Sequence, residues 1–300
     1  MNIVVAGGTG FLGRHITKAL LTDGHDVTVL GRSPDKVSTI PELQGANATK
    51  GDVTEPASLR GRLDRADAVV QAVQFPNHPI EVPRKGLTYD RYDRQGTISV
   101  LAEAQRAGVG KLVYISGAGA DPTSEKTWYR AKGLAERAII ASGIEYAIVR
   151  PSWAYGPEDR ALNRIAEIAR FSPVLPQLGS AVQRIQPVYV DDIALAVARI
   201  FDREAWNDIY EVGSREVMTM NEVGHTLLDV IGKKRPLLPV PASVLKLATA
   251  PLKLLPNPPM TPQGIEFATQ DGLVDVTKMV EVLGVEPLTL REGLARYMNR

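Results

Sequence analysis

The chain has 300 residues, a hydrophobic share of 44%, a net charge of +1 and no cysteine. A near-neutral charge argues against nucleic-acid binding, which requires a basic face. The absence of cysteine excludes disulfides, thiolate metal sites and thiol catalysis. No apolar run approaches the roughly twenty residues that span a bilayer. The first predicted strand begins at Asn2, so we expect no leader peptide and a cytoplasmic protein.

The first predicted elements are a strand over residues 2–6, a glycine-rich turn over 7–13 and an amphipathic helix. This order is typical of a dinucleotide-binding unit, because the unpaired N–H groups at a helix N-terminus favour a pyrophosphate. A plain tight turn is the alternative, but the preceding strand and the following helix favour the nucleotide. The residues predicted to contact the cofactor here are Gly7, Thr9, Gly10, Phe11, Leu12 and Gly13.

Apolar strands then alternate with helices as far as residue 150. Strands are predicted at 26–30, 46–50, 68–73, 111–115 and 145–149, and helices at 56–63, 88–107 and 128–141. This alternation predicts an α/β fold with a doubly wound, Rossmann-type parallel sheet covered on both faces. Residues 1–150 are therefore predicted to form a NAD(P)-binding domain.

The pattern changes after Arg150, where prolines become frequent and the elements short and mixed. Helices are predicted at 162–170, 192–201 and 221–231, and strands at 186–188, 209–212 and 237–239. We expect residues 151–300 to form a smaller substrate-side lobe. Ligands of open α/β sheets bind outside the carboxyl ends of the strands, so the cleft between the two parts is the expected site. Ala72 and Val73, at the end of the fourth predicted strand, are accordingly predicted cofactor contacts.

The end of the second strand bears on the choice of cofactor. An Asp or Glu at this point binds the ribose 2′-hydroxyl of NAD, but here the strand is followed by Arg32 and Ser33. Arg32 suits a 2′-phosphate, with Ser33 and either Arg14 or Lys36 assisting. The alternative is an ordinary surface arginine. We therefore expect NADP(H) to be preferred over NAD(H).

Asp52 and Val53 follow the third strand, where an adenine edge would lie. The carboxylate can accept from the adenine amino group while the next backbone N–H donates to a ring nitrogen. Alternatively, Asp52 caps the helix that begins near Pro56. Both roles remain open, with a slight preference for the cofactor.

Several segments in the same order resemble the short-chain dehydrogenase/reductase superfamily, in its extended and atypical branches. They are residues 7–13, 51–53, 132–136, 150–152 and 189–192. Residues 150–160, 172–176, 186–190 and 255–259 further resemble the group around the dehydrogenase-like accessory subunit of respiratory complex I. The resemblance covers nearly the whole chain. It implies a bound nicotinamide cofactor, with Pro151 to Trp153 lining the nicotinamide end.

Catalytically active members of this superfamily carry Tyr-x-x-x-Lys on the helix after the fifth strand, where the lysine holds the ribose and lowers the tyrosine pKa. Lys132 is retained here, but Trp128 occupies the tyrosine position. Indole only donates a hydrogen bond and cannot exchange a proton usefully. Tyr129 is the remaining candidate acid, displaced by one residue, or about 100° of helix rotation. We therefore predict a degenerate catalytic site in which Lys132 holds the ribose.

In this superfamily a serine that follows the fifth strand polarises the substrate oxygen. Its position matches Ala118, while Ser116 either donates to the cofactor or simply ends the strand.

The histidines, the paired aspartates and the proline-rich segment have structural explanations. His15, His25, His78 and His225 are scattered without metal-ligand spacing, so we interpret them as turn or surface residues and expect no metal site. Asp191 and Asp192 are predicted at a helix N-terminus, where negative charge is favourable. The proline-rich segment 75–86 is either a lid over the nicotinamide or a plain connection.

Residues 244–255 form an apolar stretch dotted with lysines. Such stretches are usually core-facing helices, and a minority bind membrane surfaces or partner proteins. Attachment to the inner face of a membrane, or to a protein complex, is thus an alternative for this chain.

Two hypotheses follow. The first is an NADP(H)-binding protein with a degenerate catalytic site that holds or senses its cofactor for a respiratory or quinone-linked system. The second is an active NADPH-dependent oxidoreductase or epimerase/dehydratase acting on a small or lipophilic substrate. A small-molecule or a quinone-like ligand beside the cofactor is compatible with both hypotheses, and the fold alone does not identify the substrate.

Overall fold

A computed structural model describes residues 1–179, 181–241 and 270–298 of the chain. The strands are β1 Asn2–Ala6, β2 Asp26–Gly31, β3 Asn47–Lys50, β4 Ala68–Gln71, β5 Lys111–Ile115, β6 Glu145–Pro151, β7 Ala154–Tyr155, β8 Leu175–Leu178, β9 Arg184–Ile185, β10 Val188–Tyr189, β11 Asp208–Val212, β12 Met218–Thr219 and β13 Leu237–Val240. The α-helices of the described residues are α1 Phe11–Thr22, α2 Pro56–Leu59, α3 Gly96–Ala107, α4 Thr127–Ile140, α5 Arg160–Phe171, α6 Val190–Asp202, α7 Met220–Val230, α8 Thr277–Glu281 and α9 Leu290–Met298. Short 3-10 helices span Pro34–Thr39, Pro41–Leu43 and Pro83–Lys85, and a π-helical turn spans Asp90–Gln95.

The central sheet has seven parallel strands in the order β11-β6-β5-β4-β1-β2-β3. The chain moves outward from β1 through β2 to β3, and then returns to the other side of β1 with β4. This reversal opens a crevice at the carboxyl ends of β1 and β4, where α/β sheets bind ligands. The doubly wound prediction is confirmed.

Each face of the sheet is covered by apolar helix faces. On one face, Ile16 of α1 and Val197 of α6 join the core with strand residues such as Val5. On the other, Val100 of α3 and Ile139 of α4 pack on residues that include Val4. Because both faces are covered, the inner strands β1, β4 and β5 are mainly apolar, as is expected for a parallel sheet. Strand β3, at the edge of the sheet, is polar and mostly exposed.

The second half of the chain returns to this sheet. Strand β11, which the sequence places in the smaller lobe, pairs with β6 so that Tyr210 lies opposite Val149. Helix α6 packs against α1 in the same core. The side chains of Tyr210 and Val212 are buried there, so the main core includes residues from beyond position 150.

The remaining elements build a smaller layer from three two-stranded pairs, β7 with β10, β8 with β13 and β9 with β12. Helices α5, α7 and α9 enclose its core, which contains Leu162, Leu227 and Leu294. The strand predicted at 186–188 is interrupted here because Pro187 has no backbone N–H to donate. Instead, the Gln186 side chain donates to the Ser214 carbonyl, 2.9 Å away.

Over the described parts of the chain, no helix has the length and apolar character needed to cross a bilayer. The apolar stretch at residues 244–255, with its alternative core, membrane and partner roles, lies outside the described residues.

Candidate functional site

The glycine-rich turn joins β1 to α1 by a close backbone approach. Gly7 has φ +82°, a left-handed conformation that favours glycine. At Gly13 an added Cβ would lie 2.2 Å from the Gly7 carbonyl oxygen, so no larger residue fits without moving the turn. The first turn of the helix therefore lies directly against the end of the strand, as the sequence predicts.

The N-terminus of α1 lacks a side-chain cap. Gly10 is its N-cap residue and makes no side-chain hydrogen bond, and the first turn has no acidic residue. Arg14 lies over the turn and donates to the carbonyls of Thr9 and Gly10 at 3.3 and 3.4 Å. A pyrophosphate-binding site needs free N–H groups, positive charge and close access to the backbone. The uncapped helix N-terminus, the Arg14 guanidinium and the glycine turn, whose space a Cβ would fill, supply these three features.

Other predicted contacts meet at this edge of the sheet. A Cβ on Gly7 would lie 2.9 Å from the Val73 nitrogen and 3.0 Å from the Ala72 carbonyl oxygen. Phe11, Leu12 and Trp153 belong to one apolar cluster. The Pro151 carbonyl accepts from the Ala118 N–H at 2.9 Å, which joins the ends of β5 and β6. The structure thus brings these residues together around the crevice.

The end of β2 presents cations. Arg32 and Ser33 are exposed, directly beyond Gly31. Lys50, a residue that sequence analysis did not single out, is the register partner of Gly31 on β3 and is also exposed. Its position depends on strand register, which the sequence pattern does not specify.

Asp52 and Val53 lie beyond β3 in different environments. One Asp52 carboxylate oxygen, Oδ1, accepts from both the Thr54 N–H and the Thr54 hydroxyl, each at 2.8 Å. The following helix has Glu55 as its N-cap, so the alternative of an Asp52 cap does not hold. Val53 is buried in the core. It packs closely against Gly96, where an added Cβ would lie 2.7 Å from a Val53 methyl carbon.

Trp128 occupies the surface on which a catalytic phenol is expected. Its ring lies over Gly117, where an added Cβ would come within 2.8 Å of the indole. The Tyr129 ring lies over Gly119 instead, where an added Cβ would lie 2.8 Å from Cε1 of the tyrosine. Burial raises the pKa of Tyr129 above its ordinary value. The one-residue displacement therefore gives two aromatic rings over the loop after β5, and the phenol is a weaker acid than usual.

Lys132 is directed into the protein. Its Nζ lies 3.0 Å from Oδ1 of Asp93 and donates to the Ile115 carbonyl, also at 3.0 Å. The lysine side chain is 3% exposed and that of Asp93 is fully buried. Burial raises the pKa of Asp93, although the lysine charge opposes this shift. Asp93 lies in the π-helical turn, a feature often found at functional sites that the sequence pattern did not predict.

Ser116 is also engaged internally. Its hydroxyl donates to Oε1 of the buried Glu136 at 2.5 Å. Arg150 binds both oxygens of the same carboxylate, at 2.9 and 2.5 Å. The hydroxyl proton of Ser116 is therefore committed to Glu136, and Ala118 offers no hydroxyl in its place.

The segment after β4 packs over Trp128. His78 lies with its ring centroid 6.0 Å from that of Trp128, and its Nδ1 is 2.7 Å from the Tyr89 hydroxyl. Burial, together with the charge of Lys132, lowers the pKa of His78 to about 4. His78 lies in a turn, as expected, but its ring is folded onto the aromatic cluster rather than into solvent.

For His15 the expected turn or surface position is wrong, because the residue lies on a buried face of helix α1. It is 7% exposed, and its two ring nitrogens lie 2.6 Å from Asp191 Oδ1 and 2.9 Å from Glu158 Oε2. Burial tends to lower its pKa, but the hydrogen bonds and charges of Asp191 and Glu158 outweigh burial and raise it. This cluster joins α1 to the first turn of α6, immediately behind the glycine-rich turn.

The paired aspartates lie in the first turn of α6, as predicted. Asp192 accepts from the Leu288 N–H at 2.9 Å. Burial raises the pKa of Asp192 to about 6. Across the described residues, no cluster of three potential metal-ligating side chains occurs.

Comparisons with known proteins agree with this geometry. A family model described as NAD(P)H-binding matches residues 7–173, more than half of the chain. The subunit named NADH dehydrogenase (ubiquinone) 1 alpha subcomplex subunit 9, mitochondrial, from Arabidopsis thaliana is 27% identical, and the alignment covers 84% of this chain and 63% of that protein. The 2-alkyl-3-oxoalkanoate reductase of Stenotrophomonas maltophilia is 29% identical over 78% of this chain and 77% of its own length. Among solved structures, the UDP-glucose 4-epimerase of Thermotoga maritima matches 99% of this chain and 97% of its own, with 22% identity and a TM-score of 0.77.

Proposed function

Since the chain belongs to the NAD(P)H-binding family of the short-chain dehydrogenase/reductase superfamily, in the atypical group that includes the complex I accessory subunit, we propose that it holds NADP(H) in a site with degenerate catalysis. In this role the cofactor has a structural or sensing function in a respiratory or quinone-linked system. The similarity to a subunit of NADH dehydrogenase supports that link. The alignment spans less than two thirds of that subunit, so the link is a proposal for this chain.

One observation carries the proposal: the lysine expected to activate a catalytic tyrosine is paired with Asp93. A cationic neighbour lowers a phenol pKa by stabilising the phenolate. Here the Lys132 charge faces Asp93 at 3.0 Å, and the pKa of Tyr129 is raised by burial. With Trp128 in the tyrosine position and the pKa of Tyr129 raised, neither aromatic residue of this turn of α4 is suited to exchange a proton near neutral pH. The Lys132 ammonium has three N–H groups, and Asp93 and the Ile115 carbonyl occupy two of them. Lys132 would therefore hold the ribose only through the third.

The preference for NADP(H) is supported by charge at the adenine end of the crevice. Arg32 is exposed directly after β2, and no acid stands there to accept from a ribose 2′-hydroxyl. Lys50, beside Gly31 in the sheet, adds a second cation. A guanidinium binds a phosphate in bidentate geometry, which suits the 2′-phosphate that distinguishes the two cofactors.

A second candidate is an active NADPH-dependent oxidoreductase or epimerase/dehydratase. The similarity to a 2-alkyl-3-oxoalkanoate reductase favours it, as does the half-buried phenol of Tyr129 at the same loop. In this case Tyr129 would supply the proton, despite its displaced helical position.

The deciding experiment measures cofactor retention and turnover separately. The purified protein is assayed for copurified nicotinamide and is then supplied with NADPH and a panel of quinones, ketones and sugar nucleotides. We expect tight cofactor binding with no NADPH consumption above background, and no difference between the wild type and Tyr129→Phe. Robust turnover that Tyr129→Phe abolishes would establish the second candidate, and failure to bind either nicotinamide cofactor would refute both.

A further inference from the structure

The solvent-facing side of α5 carries apolar residues where polar ones are expected. Phe171, at the end of the helix, is 85% exposed and Ile168 is 38% exposed. They follow Arg164 at helical spacings of four and seven, so the three side chains share one exposed stripe. Exposure of one aromatic ring is ordinary, but an exposed apolar stripe next to cations is typical of an interaction surface.

Further cations lie near the C-terminal end of this stripe. Arg170 precedes Phe171, and the loop before β13 carries Lys233, Lys234 and Arg235 with no acidic residue through Val240. The two segments are in contact, because Arg235 donates to the Ala169 carbonyl at 3.3 Å. Leu175 likewise bonds to Pro236 through the backbone. The loop cations therefore lie at the same end of the lobe as Phe171.

An open cleft of about 380 Å³ lies among these cations, lined by His225 together with the three basic loop residues. The one carboxylate in its lining, Asp229, is bonded to Arg291 at 2.9 Å. On α5 itself the only acid is Glu167. The surface consequently has a clear excess of positive charge beside its exposed ring, although the net charge of the whole chain is only +1.

We propose that this surface, formed by Arg164, Ile168, Arg170, Phe171, Lys233 and Lys234, docks the protein on an anionic lipid bilayer. Lipid phosphates would bind the cations and occupy the cleft, while Phe171 inserts at the boundary of the headgroups and acyl chains. Charge complementarity favours this partner over a second copy of the chain, because two such surfaces would repel each other. None of these residues belongs to the cofactor site, so the inference stands independently of the proposed function.

The test is co-sedimentation of the full chain with phosphatidylcholine vesicles, with and without an equimolar share of phosphatidylglycerol. We expect binding only to the anionic vesicles, and weakening when salt is raised. Each basic residue near an anionic surface contributes about fivefold in partitioning. Reversal of one charge in Lys234→Glu should therefore weaken binding by roughly 25-fold, and Phe171→Ser by about tenfold.

Matched controls use exposed residues of the same types elsewhere. Arg62→Glu changes an exposed cation and Val217→Ser an exposed apolar side chain, and neither should alter the sedimented fraction. Far-ultraviolet circular dichroism and NADPH titration of every variant establish that fold and cofactor site are intact. Equal binding to neutral vesicles, an equal loss in the controls, or unchanged binding in both surface variants would overturn the proposal. Inorganic phosphate, at concentrations too low to screen the surface charge, provides a last test. If it displaces the protein completely from the vesicles, the cleft binds a small anion instead, and the proposal is overturned.

Discussion

Lys132 and Asp93 form an ion pair inside the protein, with Nζ and Oδ1 3.0 Å apart and both side chains almost inaccessible to solvent. The carboxylate also accepts from the Phe75 N–H at 3.1 Å. The pair connects α4 to the π-helical turn beneath the aromatic cluster of Phe75, Tyr89 and Trp128. In this fold, the lysine expected to serve chemistry at the nicotinamide therefore has a structural partner of its own.

Breaking this pair should be costly. Asp93→Asn leaves a buried ammonium without its counter-ion, and we expect the free energy of unfolding to fall by about 3–5 kcal/mol. The double variant Asp93→Asn with Lys132→Met removes both charges and should lose markedly less. Urea unfolding of the wild type, the single variants and the double variant measures the difference. Additive losses in the double variant would show that the two charges are not coupled.

Arg32 should decide between the two cofactors. We expect Arg32→Ala to weaken NADPH binding by about tenfold, because a charge-assisted contact to phosphate is lost, and to leave NADH binding within twofold. Fluorescence titration with both cofactors measures this change. Arg137→Ala removes another exposed arginine, on α4, and serves as the control. An equal loss of affinity for NADH and NADPH would contradict a role specific to the 2′-phosphate.

Gly13 should be indispensable for nucleotide binding. In Gly13→Ala the new Cβ would meet the Gly7 carbonyl oxygen at 2.2 Å, so the turn must move away from the helix. We expect affinity for either cofactor to fall at least about tenfold, because the backbone N–H groups no longer converge on the pyrophosphate. Gly110→Ala adds a methyl where no atom lies within 4 Å and should leave affinity unchanged. Wild-type affinity in Gly13→Ala would show that the pyrophosphate does not bind here.

His15 should make the junction of α1 and α6 sensitive to pH. Its pKa is raised in the folded protein, so its charged interactions with Asp191 and Glu158 stabilise the fold fully below pH 6.5. This contribution disappears as the pH rises through the folded pKa. The loss of unfolding free energy caused by His15→Gln should therefore be larger at pH 6 than at pH 9, as measured by urea unfolding at both pH values.

His25 provides a control of opposite sign. Burial lowers its pKa, so its contribution is present above pH 6.5 and is lost as the pH falls through the folded value. The cost of His25→Gln should accordingly be larger at pH 9 than at pH 6. A cost of His15→Gln that is independent of pH would contradict a charged ring at this junction, since a neutral imidazole has only one N–H to donate to the two carboxylates.

Much of the fold was predictable because its signals are local. The glycines from Gly7 to Gly13 lie between an apolar strand and an amphipathic helix, and the structure confirms that order. The mainly apolar composition of the inner strands predicts a parallel sheet that is buried on both faces. Asp191 and Asp192 indicate the start of α6, because negative charge is favourable at a helix N-terminus. The π-helical turn at Asp90–Gln95 was missed, because helical periodicity does not reveal a single widened turn.

The sequence by itself determined the dinucleotide-binding fold, the glycine cradle and the replacement of the expected tyrosine by Trp128, since these depend on residue type and short-range spacing. Only the tertiary structure decided the partners of the charged side chains. Lys132 meets Asp93, 39 positions away in the chain, and His15 meets Asp191, 176 positions away. Such pairs depend on strand order, register and helix packing, which no local pattern specifies. The same packing placed β11 in the main sheet and the basic loop against the end of α5.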